Sequence, residues 1–330
     1  MKLTVLGPGC WGLTIAKLLN NNFDEICVWG READITPMLK EEKRVEKPLE
    51  IQLDKKVEIT SDLALALKDA QIILLVVATS GIRPVCEQIK KIGLEKNQIL
   101  VSLSKGIELP SLKRMSEVVY EVLPDVNFAV LSGPTLAREI IEGKPTLATV
   151  AAKDIEIAKT VQEKLNVSSL FRLYSSDDLI GVELGGSLKN VIAIASGFAS
   201  AMGLGDNLRG SLLTRGMAEM VRVGCALGAK PQTLYGLSGM GDLIATASSP
   251  YSRNFTVGSM IAKGKKIDDI LAELGSVAEG VKTSKALCEL AKKLNIDVPV
   301  SNAIYEAVYT DITPQEILNK LMNRKLKVED

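Results

Sequence analysis

The chain has 330 residues, a length that predicts two domains, and its content of 46% hydrophobic and 24% charged residues predicts a soluble globular protein. Lysine plus arginine equals aspartate plus glutamate at 40 each, so the net charge of zero argues against nucleic acid or an anionic membrane as the main partner. There is no histidine, which excludes every mechanism that needs an imidazole base.

The five cysteines predict neither a disulfide framework nor a metal site, because their number is odd and their spacing is wide. A reducing cytoplasm fits this pattern best. A strand begins almost at the N-terminus, which leaves no room for a signal peptide. The longest uncharged run, Asn190–Gly205, is too short and too rich in glycine and serine to span a bilayer, so we expect no membrane segment.

The first 30 residues predict a strand, a glycine-rich turn, a helix and a second strand. The strands are expected at Leu3–Leu6 and Glu25–Trp29, and the helix from Leu13 to about Asn21. The turn, Gly-Pro-Gly-Cys-Trp-Gly over residues 7–12, has the G-x-G-x-x-G spacing of a dinucleotide-binding turn in the right context. The alternative is that the glycines serve only the packing of the turn and that no ligand binds there.

Each glycine of this turn has a predicted purpose. Gly7 makes the tight turn, Gly9 lets the backbone approach a pyrophosphate, and Gly12 lets helix and strand pack closely. The N-terminus of the helix offers free N–H groups and the positive end of its dipole to the phosphates.

The end of the second strand bears on the choice of cofactor. Arg31 stands where a plain NAD site has an acidic residue, and arginine suits a 2′-phosphate or stacking on adenine. We therefore favour NADP(H), with NAD(H) left open because the neighbouring Glu32 can take the ribose. The plainer interpretation of Arg31 is an exposed surface charge.

Residues 34–56 predict a short helix and an irregular loop, after which the α/β alternation resumes. Strands are predicted at Gln71–Ala78, Gln98–Leu103, Asn127–Leu131, Thr146–Ala151 and Leu170–Leu173, with helices at Ile82–Ile92, Ser111–Val122 and Ile155–Leu165. Polar or glycine residues follow the strand ends at Gly7–Gly12, Gly30-Arg31, Thr79-Ser80, Lys105-Gly106 and Gly133–Thr135. In an open parallel sheet these ends share one edge, where ligands bind. We therefore expect Lys105 to contact an anion or a carbonyl group of a ligand. The alternative is that Lys105 is only a turn residue exposed to solvent.

After about Tyr174 the strand signals stop and long helices are predicted. We place them at Asp177–Met202, Gly210–Leu227, Asp268–Leu274, Thr283–Leu294, Ala303–Tyr309 and Pro314–Met322. The sequence therefore predicts an α/β dinucleotide-binding domain with a doubly wound, Rossmann-like sheet over residues 1–176, and an all-α domain over residues 177–330.

One lysine, Lys189, lies in the nearly uncharged apolar segment Val182–Ser196. Because burial penalises the charged form, a lysine at such a place is a candidate general base near neutral pH. The alternative is a lysine near the start of the helix that reaches solvent with its tip.

Two predicted loops of the helical domain carry functional groups. Residues 236–246 are dense in glycine and contain Asp242, and the next loop contains Ser252-Arg253-Asn254, a triplet able to hold a phosphate. The alternative is that this triplet belongs to an ordinary surface turn with an exposed arginine and binds no ligand. A third glycine-flanked turn, Gly275–Gly280, has no role that the residues alone define.

Together these motifs resemble those of the bacterial-type NAD(P)-dependent glycerol-3-phosphate dehydrogenases, in the family's order and over nearly the whole chain. The matching segments are Gly7-x-Gly9-x-Trp11-Gly12, Trp29-Gly30-Arg31, Ser104-Lys105-Gly106, Leu131–Thr135, Leu188–Val191, Gly239-x-Gly241-Asp242-Leu243, Ser252-Arg253-Asn254 and Val277-x-Glu279-Gly280. The resemblance implies the architecture of 6-phosphogluconate dehydrogenase. It also implies reversible hydride transfer between sn-glycerol 3-phosphate and dihydroxyacetone phosphate, in the cytoplasm, as a supply for phospholipid synthesis.

The resemblance also implies roles for single residues. Lys189 matches the proton acceptor. Substrate contacts are implied at Lys105, Gly133, Thr135, Asp242, Ser252, Arg253 and Asn254, with Asn190 and Thr246 as neighbours. Cofactor contacts are implied at Cys10, Trp11, Arg31, Lys105, Ala137, Arg253, Val277 and Glu279, in addition to Gly7, Gly9 and Gly12 of the turn.

The chain departs from the family pattern at two places. Pro8 and Cys10 replace the usual alanine and serine, and a thiol is a poorer hydrogen-bond donor to phosphate than a hydroxyl. The segment near Arg44–Leu53 lacks a histidine and the Leu-Pro-Gly signature, so we transfer no cofactor contact to it.

Two other hypotheses remain open. A related dehydrogenase acting on a hydroxy acid, such as a ketopantoate reductase, also pairs a dinucleotide domain with a helical domain and uses a lysine. A dinucleotide-sensing protein would keep the fold without the reaction. A homodimer is expected from the base rate for such enzymes.

Overall fold

The computed structural model describes residues 1–275, 278–326 and 328–329. Its first part is built around one eight-stranded sheet with the order β10-β9-β8-β7-β6-β1-β2-β5. The strands are β1 (Lys2–Leu6), β2 (Glu25–Trp29), β3 (Arg44–Val45), β4 (Ile51–Gln52), β5 (Glu58–Thr60), β6 (Ala70–Leu75), β7 (Ile99–Ser102), β8 (Asn127–Ser132), β9 (Thr146–Ala152) and β10 (Phe171–Ser176). Strands β3 and β4 form a separate antiparallel pair.

All neighbouring strands of the main sheet are parallel except β8 and β9. In that pair Ser132 lies opposite Thr149, so the chain turns back at the carboxyl edge instead of crossing over the sheet. The last two strands therefore run opposite to the others. The strand ends of β1, β2, β6, β7 and β8 still share one edge, as the sequence predicts.

Helices cover both faces of this sheet. They are α1 (Cys10–Leu18), α2 (Pro37–Glu42), α3 (Leu63–Leu67), α4 (Thr79–Ile92), α5 (Met115–Val122), α6 (Ala137–Ile141) and α7 (Ile155–Leu165). Alternation along β6 shows the two layers, because Ile72 and Leu74 belong to one core and Ile73 and Leu75 to the other. A continuous apolar strand is what a sheet covered on both faces requires.

The second part of the chain is helical and is organised around one long central helix. The helices are α8 (Leu179–Ala201), α9 (Gly205–Ala226), α10 (Pro231–Leu234), α11 (Asp242–Ser248), α12 (Arg253–Ala262), α13 (Ile267–Leu274), α14 (Glu279–Leu294), α15 (Pro299–Tyr309) and α16 (Pro314–Met322). Among the described residues, α8 is the one helix long and apolar enough to cross a membrane, but 94% of its apolar window is buried inside the fold. This burial is that of a core helix.

Two glycines let α12 cross α8 with backbone almost touching backbone. A Cβ atom at Gly258 would lie 1.9 Å from the carbonyl oxygen of Ile194, and one at Gly197 would lie 2.0 Å from that of Phe255. This close crossing fixes the N-terminus of α12, where Ser252 caps the helix by accepting a hydrogen bond from the Phe255 N–H at 3.2 Å.

The structure differs from the predicted elements at several places. Helix α1 begins at Cys10, three residues before its predicted start, so half of the glycine-rich segment is helical. Strand β5 and helix α3 were not predicted, because both are shorter than the periodicity needs. The two predicted loops of the second domain are largely helical: a π-helical turn over Leu237–Gly241 leads directly into α11, and Arg253 begins α12.

Candidate active site

The glycine-rich turn has the geometry of a dinucleotide cradle. Gly7 has φ +123°, and a Cβ there would lie 2.6 Å from the carbonyl oxygen of Val76. A Cβ at Gly12 would lie 1.9 Å from the carbonyl oxygen of Gly7, so this glycine is needed for packing. A Cβ at Gly9, by contrast, would meet nothing within 4 Å. Gly9 caps α1 without any side-chain hydrogen bond, which leaves the helix N-terminus open toward that space.

A buried cluster of two lysines and one carboxylate lies between the sheet and α8. Lys189 Nζ, on α8, donates to Asp242 Oδ1 at 2.8 Å and to Thr246 Oγ1. Lys105 Nζ comes from the loop after β7 and donates to Asp242 Oδ2 at 2.7 Å. The π-helical turn and α11 thus place one carboxylate between a lysine from each part of the chain.

The two lysines differ in how fully their donors are used. Lys105 Nζ also donates to the carbonyl oxygen of Gly133 at 2.9 Å and to Thr135 Oγ1 at 3.3 Å, so three acceptors hold its three N–H groups. Lys189 Nζ has two hydrogen-bond partners among the described residues, Asp242 and Thr246. One N–H of Lys189 therefore remains for a ligand oxygen.

The environment changes the proton affinity of this cluster. Lys189 is 5% exposed, and burial, aided by the nearby charge of Lys105, lowers its pKa to about 8 although Asp242 acts in the opposite direction. Burial would raise the pKa of Asp242, but the charges and hydrogen bonds of both lysines outweigh it and hold that pKa below its ordinary value. The cluster thus keeps an ionised carboxylate beside an amine able to exchange a proton near neutral pH.

A second polar group adjoins the cluster along α8. Asn254 Nδ2 donates to Asn190 Oδ1 at 2.9 Å, and Asn254 Oδ1 accepts from the Gly280 N–H at 3.0 Å. Gly280 has no room for a side chain, since a Cβ would lie 2.7 Å from the Asn190 carbonyl oxygen. Asn190 and Asn254 are both buried, and Arg253 between Ser252 and Asn254 is exposed.

Glu279 connects the helical part to the sheet part. Its carboxylate accepts from the Thr79 N–H at 3.1 Å and from Thr79 Oγ1 at 2.9 Å, at the first residue of α4. A carboxylate is favourable at a helix N-terminus. Sequence analysis singled out Thr79 only as polar punctuation after a strand and gave it no role, because its partner lies 200 residues further along the chain.

The remaining predicted positions lie outside this hydrogen-bonded group. Cys10 and Trp11 begin α1, and Ala137 begins α6. Arg31 is placed apart: its side chain is 75% exposed and donates to both carboxylate oxygens of Asp34. The Val277 position lies outside the described residues.

The structure brings the predicted proton acceptor together with most of the predicted substrate contacts. Hydrogen bonds join six of these residues: Lys189, Asp242, Thr246, Lys105, Gly133 and Thr135. The hydrogen-bonded pair of Asn190 and Asn254 adjoins them. Within residues 1–275, 278–326 and 328–329, no group of three or more histidine, cysteine, aspartate and glutamate residues could hold a metal ion.

A dinucleotide fits this arrangement. The open space above Gly9 and the uncapped N-terminus of α1 suit a diphosphate, and Cys10, Trp11 and Glu279 would hold the rest of the group. The nicotinamide would supply a hydride acceptor or donor. The fold and site together are those of a dinucleotide-dependent dehydrogenase that pairs a Rossmann-like sheet with a helical part.

Comparison with known proteins identifies the family. The model of the NAD-dependent glycerol-3-phosphate dehydrogenase N-terminus matches residues 2–158, and that of the C-terminus matches residues 178–319. A glycerol-3-phosphate dehydrogenase [NAD(P)+] from Carboxydothermus hydrogenoformans is 41% identical over 100% of this chain and 98% of its own. The chain therefore belongs to the NAD(P)-dependent glycerol-3-phosphate dehydrogenase family, and the resemblance seen in the motifs is confirmed.

Solved structures agree with this assignment. A glycerol-3-phosphate dehydrogenase from Coxiella burnetii superposes with a TM-score of 0.91 at 30% identity, covering 98% of this chain and 99% of that one. A ketopantoate reductase from Ralstonia eutropha gives a TM-score of 0.61 at 14% identity over 98% of this chain and 100% of that one. The second likeness shows a shared fold alone, which confirms the predicted two-part architecture.

Proposed function

We propose that this protein catalyses reversible hydride transfer between dihydroxyacetone phosphate and sn-glycerol 3-phosphate with NAD(H) or NADP(H). The observation that carries the proposal is the unequal pair of lysines. Lys105 is held by three acceptors, whereas Lys189 is buried, has a pKa lowered to about 8 and keeps one N–H for a ligand. Such a group suits proton exchange with the oxygen of a carbonyl or an alcohol.

In the reducing direction, the carbonyl carbon of dihydroxyacetone phosphate accepts a hydride and its oxygen accepts the proton of the Lys189 ammonium. In the oxidising direction, the neutral amine of Lys189 removes the hydroxyl proton as the hydride leaves. Asp242 and Thr246 orient Nζ through two hydrogen bonds. Lys105 adds a positive charge that favours the developing alkoxide.

We assign the substrate phosphate to the N-terminus of α12. Ser252, Arg253 and Asn254 lie there, and Asn254 is tied to Asn190 one residue after the proposed base. Gly133 and Thr135, whose oxygens hold Lys105, belong to the same wall of the cleft. An arginine flanked by two polar side chains suits a phosphate dianion, because it offers a positive charge and several hydrogen-bond donors.

The cofactor preference is proposed to depend on Arg31. Its guanidinium follows the end of β2, but its Nε and Nη2 already donate to the Asp34 carboxylate, so a 2′-phosphate would have to share the guanidinium or displace Asp34. This competition makes the preference for NADP(H) smaller than a free arginine would give.

The wider setting follows from the proposed reaction. A division near residue 176, between the end of β10 and the start of α8, separates a cofactor domain from a substrate domain. We propose a cytoplasmic homodimer that supplies glycerol 3-phosphate for phospholipid synthesis.

The first test is the oxidation of NADPH, and separately of NADH, with dihydroxyacetone phosphate. We expect turnover by the wild type and a loss of about 10²–10⁴-fold in Lys189→Ala, with cofactor binding retained. The ratio of the two cofactors measures the preference. If no cofactor is consumed, the glycerol-phosphate assignment is wrong. If Lys189→Ala keeps full activity, the base is another residue.

A further inference from the structure

One arginine near the glycine-rich turn forms no ion pair in the part of the chain that the structure describes. Arg138 lies on α6, directly after Ala137, and its residue is half-buried. Within the described parts of the chain its guanidinium makes no hydrogen bond and no ion pair, although arginine carries five N–H donors. A half-buried guanidinium with free donors is able to bind an anionic ligand.

An aromatic ring fixes the place of this guanidinium. Arg138 Cζ lies 4.6 Å from the ring centroid of Tyr251, which is within the range of a cation–π contact. Tyr251 is 60% exposed and precedes the Ser252 cap of α12, in a turn where its N–H donates to Ser249 Oγ at 3.2 Å. The contact therefore joins the sheet domain to the segment that leads into the proposed phosphate site.

The surroundings of α6 indicate the kind of ligand. Helix α6 packs against α1, whose open N-terminus faces the space above Gly9. Burial raises the pKa of the Cys10 thiol, while the positive charges of Arg253 and Arg138 lower it, so both guanidinium groups lie within electrostatic range of the start of α1. Arg253 also lacks an ion-pair partner in the described residues.

We propose that Arg138 binds the diphosphate of the dinucleotide as a second cation beside the glycine-rich turn, and that Tyr251 is the positioning residue that holds its guanidinium there. The acidic neighbour Glu142 forms its ion pair with Lys144 at 2.8 Å, and its pKa is lowered first by that hydrogen bond and last by the charge of Arg138. The inference rests on the proposed use of a dinucleotide and adds two residues to its site.

The test measures the dissociation constants of NADPH and NADH without substrate, followed by the fluorescence of the reduced nicotinamide. We expect Arg138→Gln to weaken both cofactors by about tenfold, because a hydrogen-bonded charge is lost. Arg138→Lys, which keeps the charge, should lose less. Tyr251→Leu should weaken binding by about two- to fivefold and Tyr251→Phe by less than about twofold, because only the first removes the ring.

Two controls separate positioning from general damage. In the double variant, Tyr251→Leu should add nothing to Arg138→Gln, since a positioning residue acts only through its partner. Arg172→Gln should leave both constants unchanged, because Arg172 makes a similar contact with Tyr174, at 5.3 Å, far along the chain on β10. Unchanged thermal midpoints show that each variant is folded.

Several outcomes would overturn the inference. Binding by Arg138→Gln within about twofold of the wild type would exclude Arg138 from the cofactor site. A loss for NADPH alone would assign it to the 2′-phosphate, and a rise only in the KM for dihydroxyacetone phosphate would assign it to the substrate. If the wild type binds neither cofactor, the proposed function fails together with this inference.

Discussion

At the scale of single residues, the proton affinity of Lys189 is the quantity that matters most. Burial and the charge of Lys105 lower its pKa, and Asp242 raises it. The three residues therefore act as one unit, in which each substitution shifts the titration of the others.

The first prediction concerns the pH dependence of the two directions. In the proposed reaction, oxidation of glycerol 3-phosphate needs the neutral amine of Lys189, so its rate should rise with pH through about 8 and then level off. Reduction needs the ammonium and should fall over the same range. Because Asp242 raises the pKa and Lys105 lowers it, Asp242→Asn should move the midpoint to lower pH and Lys105→Gln to higher pH. The measurement is kcat against pH at saturating cofactor.

A midpoint that stays in place in both variants would contradict this arrangement. Asp54→Asn provides the matched control, since this exposed carboxylate lies in the turn before β5 and should leave the profile unchanged. A bell-shaped profile with a second inflection would show that another group also titrates in the reaction.

Sequence reasoning could single out Lys189 but could not decide between a buried amine and one that reaches solvent. The neighbouring residues are apolar in both cases, and only the position of α11 against α8 shows that Asp242 and Thr246 receive the amine. The glycine turn was more predictable, because its requirements are local: a tight turn at Gly7 and an unfilled space at Gly9.

At the scale of elements, the crossing of α8 and α12 connects packing to substrate binding. Backbone contact at Gly258 and Gly197 leaves no space for a methyl group, and the start of α12 carries the residues assigned to the phosphate. A shift of this helix therefore moves Asn254 away from Asn190.

The second prediction is that Gly258→Ala both destabilises the fold and weakens substrate binding. An added Cβ would lie 1.9 Å from a backbone oxygen, and overpacking of this kind costs about 1–3 kcal/mol. We expect a lower thermal midpoint and a higher KM for dihydroxyacetone phosphate, with cofactor binding little changed.

The matched control for this variant is Gly210→Ala. Gly210 lies within α9, and a Cβ there would meet nothing within 4 Å. Alanine should therefore stabilise the helix by about 0.5–1 kcal/mol. Equal midpoints for the two variants would show that the crossing tolerates a methyl group and that α12 is placed by other contacts.

The elements that sequence analysis missed have physical reasons. Residues 237–248 and the start of α12 are rich in glycine and serine, which favours turns, yet packing against α8 makes them helical. Strand β5 has three residues at the sheet edge, too few for an alternating pattern. The reversal at β9 is invisible to periodicity, because parallel and antiparallel buried strands have the same composition.

At the scale of the whole molecule, the cleft depends on contacts between the two parts of the chain. Glu279 and Thr79 form one such contact through two hydrogen bonds, and the lysine cluster forms another. Arg114 and Ser116 on the sheet side donate to the buried Glu183 of α8 and add a third. These contacts hold the site as one unit.

The third prediction is that Glu279→Ala weakens cofactor binding and reduces the thermal stabilisation by the cofactor. The variant leaves two donors of Thr79 without their acceptor, at a cost of about 1–3 kcal/mol. The midpoints of both proteins should be measured without NADPH and with NADPH at one concentration, about 100 times the dissociation constant of the wild type, where the bound cofactor stabilises the wild type by about 2.7 kcal/mol.

Thr79→Ser is the control, because serine keeps both donors toward Glu279. It should behave as the wild type does. If Glu279→Ala matches the wild type in midpoint and in cofactor affinity, the contact between the two parts is not needed to hold the cleft.

The two lysines that share Asp242 come from different parts of the chain, so the pKa of Lys189 depends on how these parts meet. Lys189 and Asp242 belong to the helical part, whereas Lys105 is carried by the sheet part. A separation of the two parts would take the repelling charge of Lys105 away from Lys189 and let water reach its amine, and both changes would raise the pKa of Lys189. The lowered proton affinity of this lysine is therefore a property of the two parts in contact and not of the helical part alone.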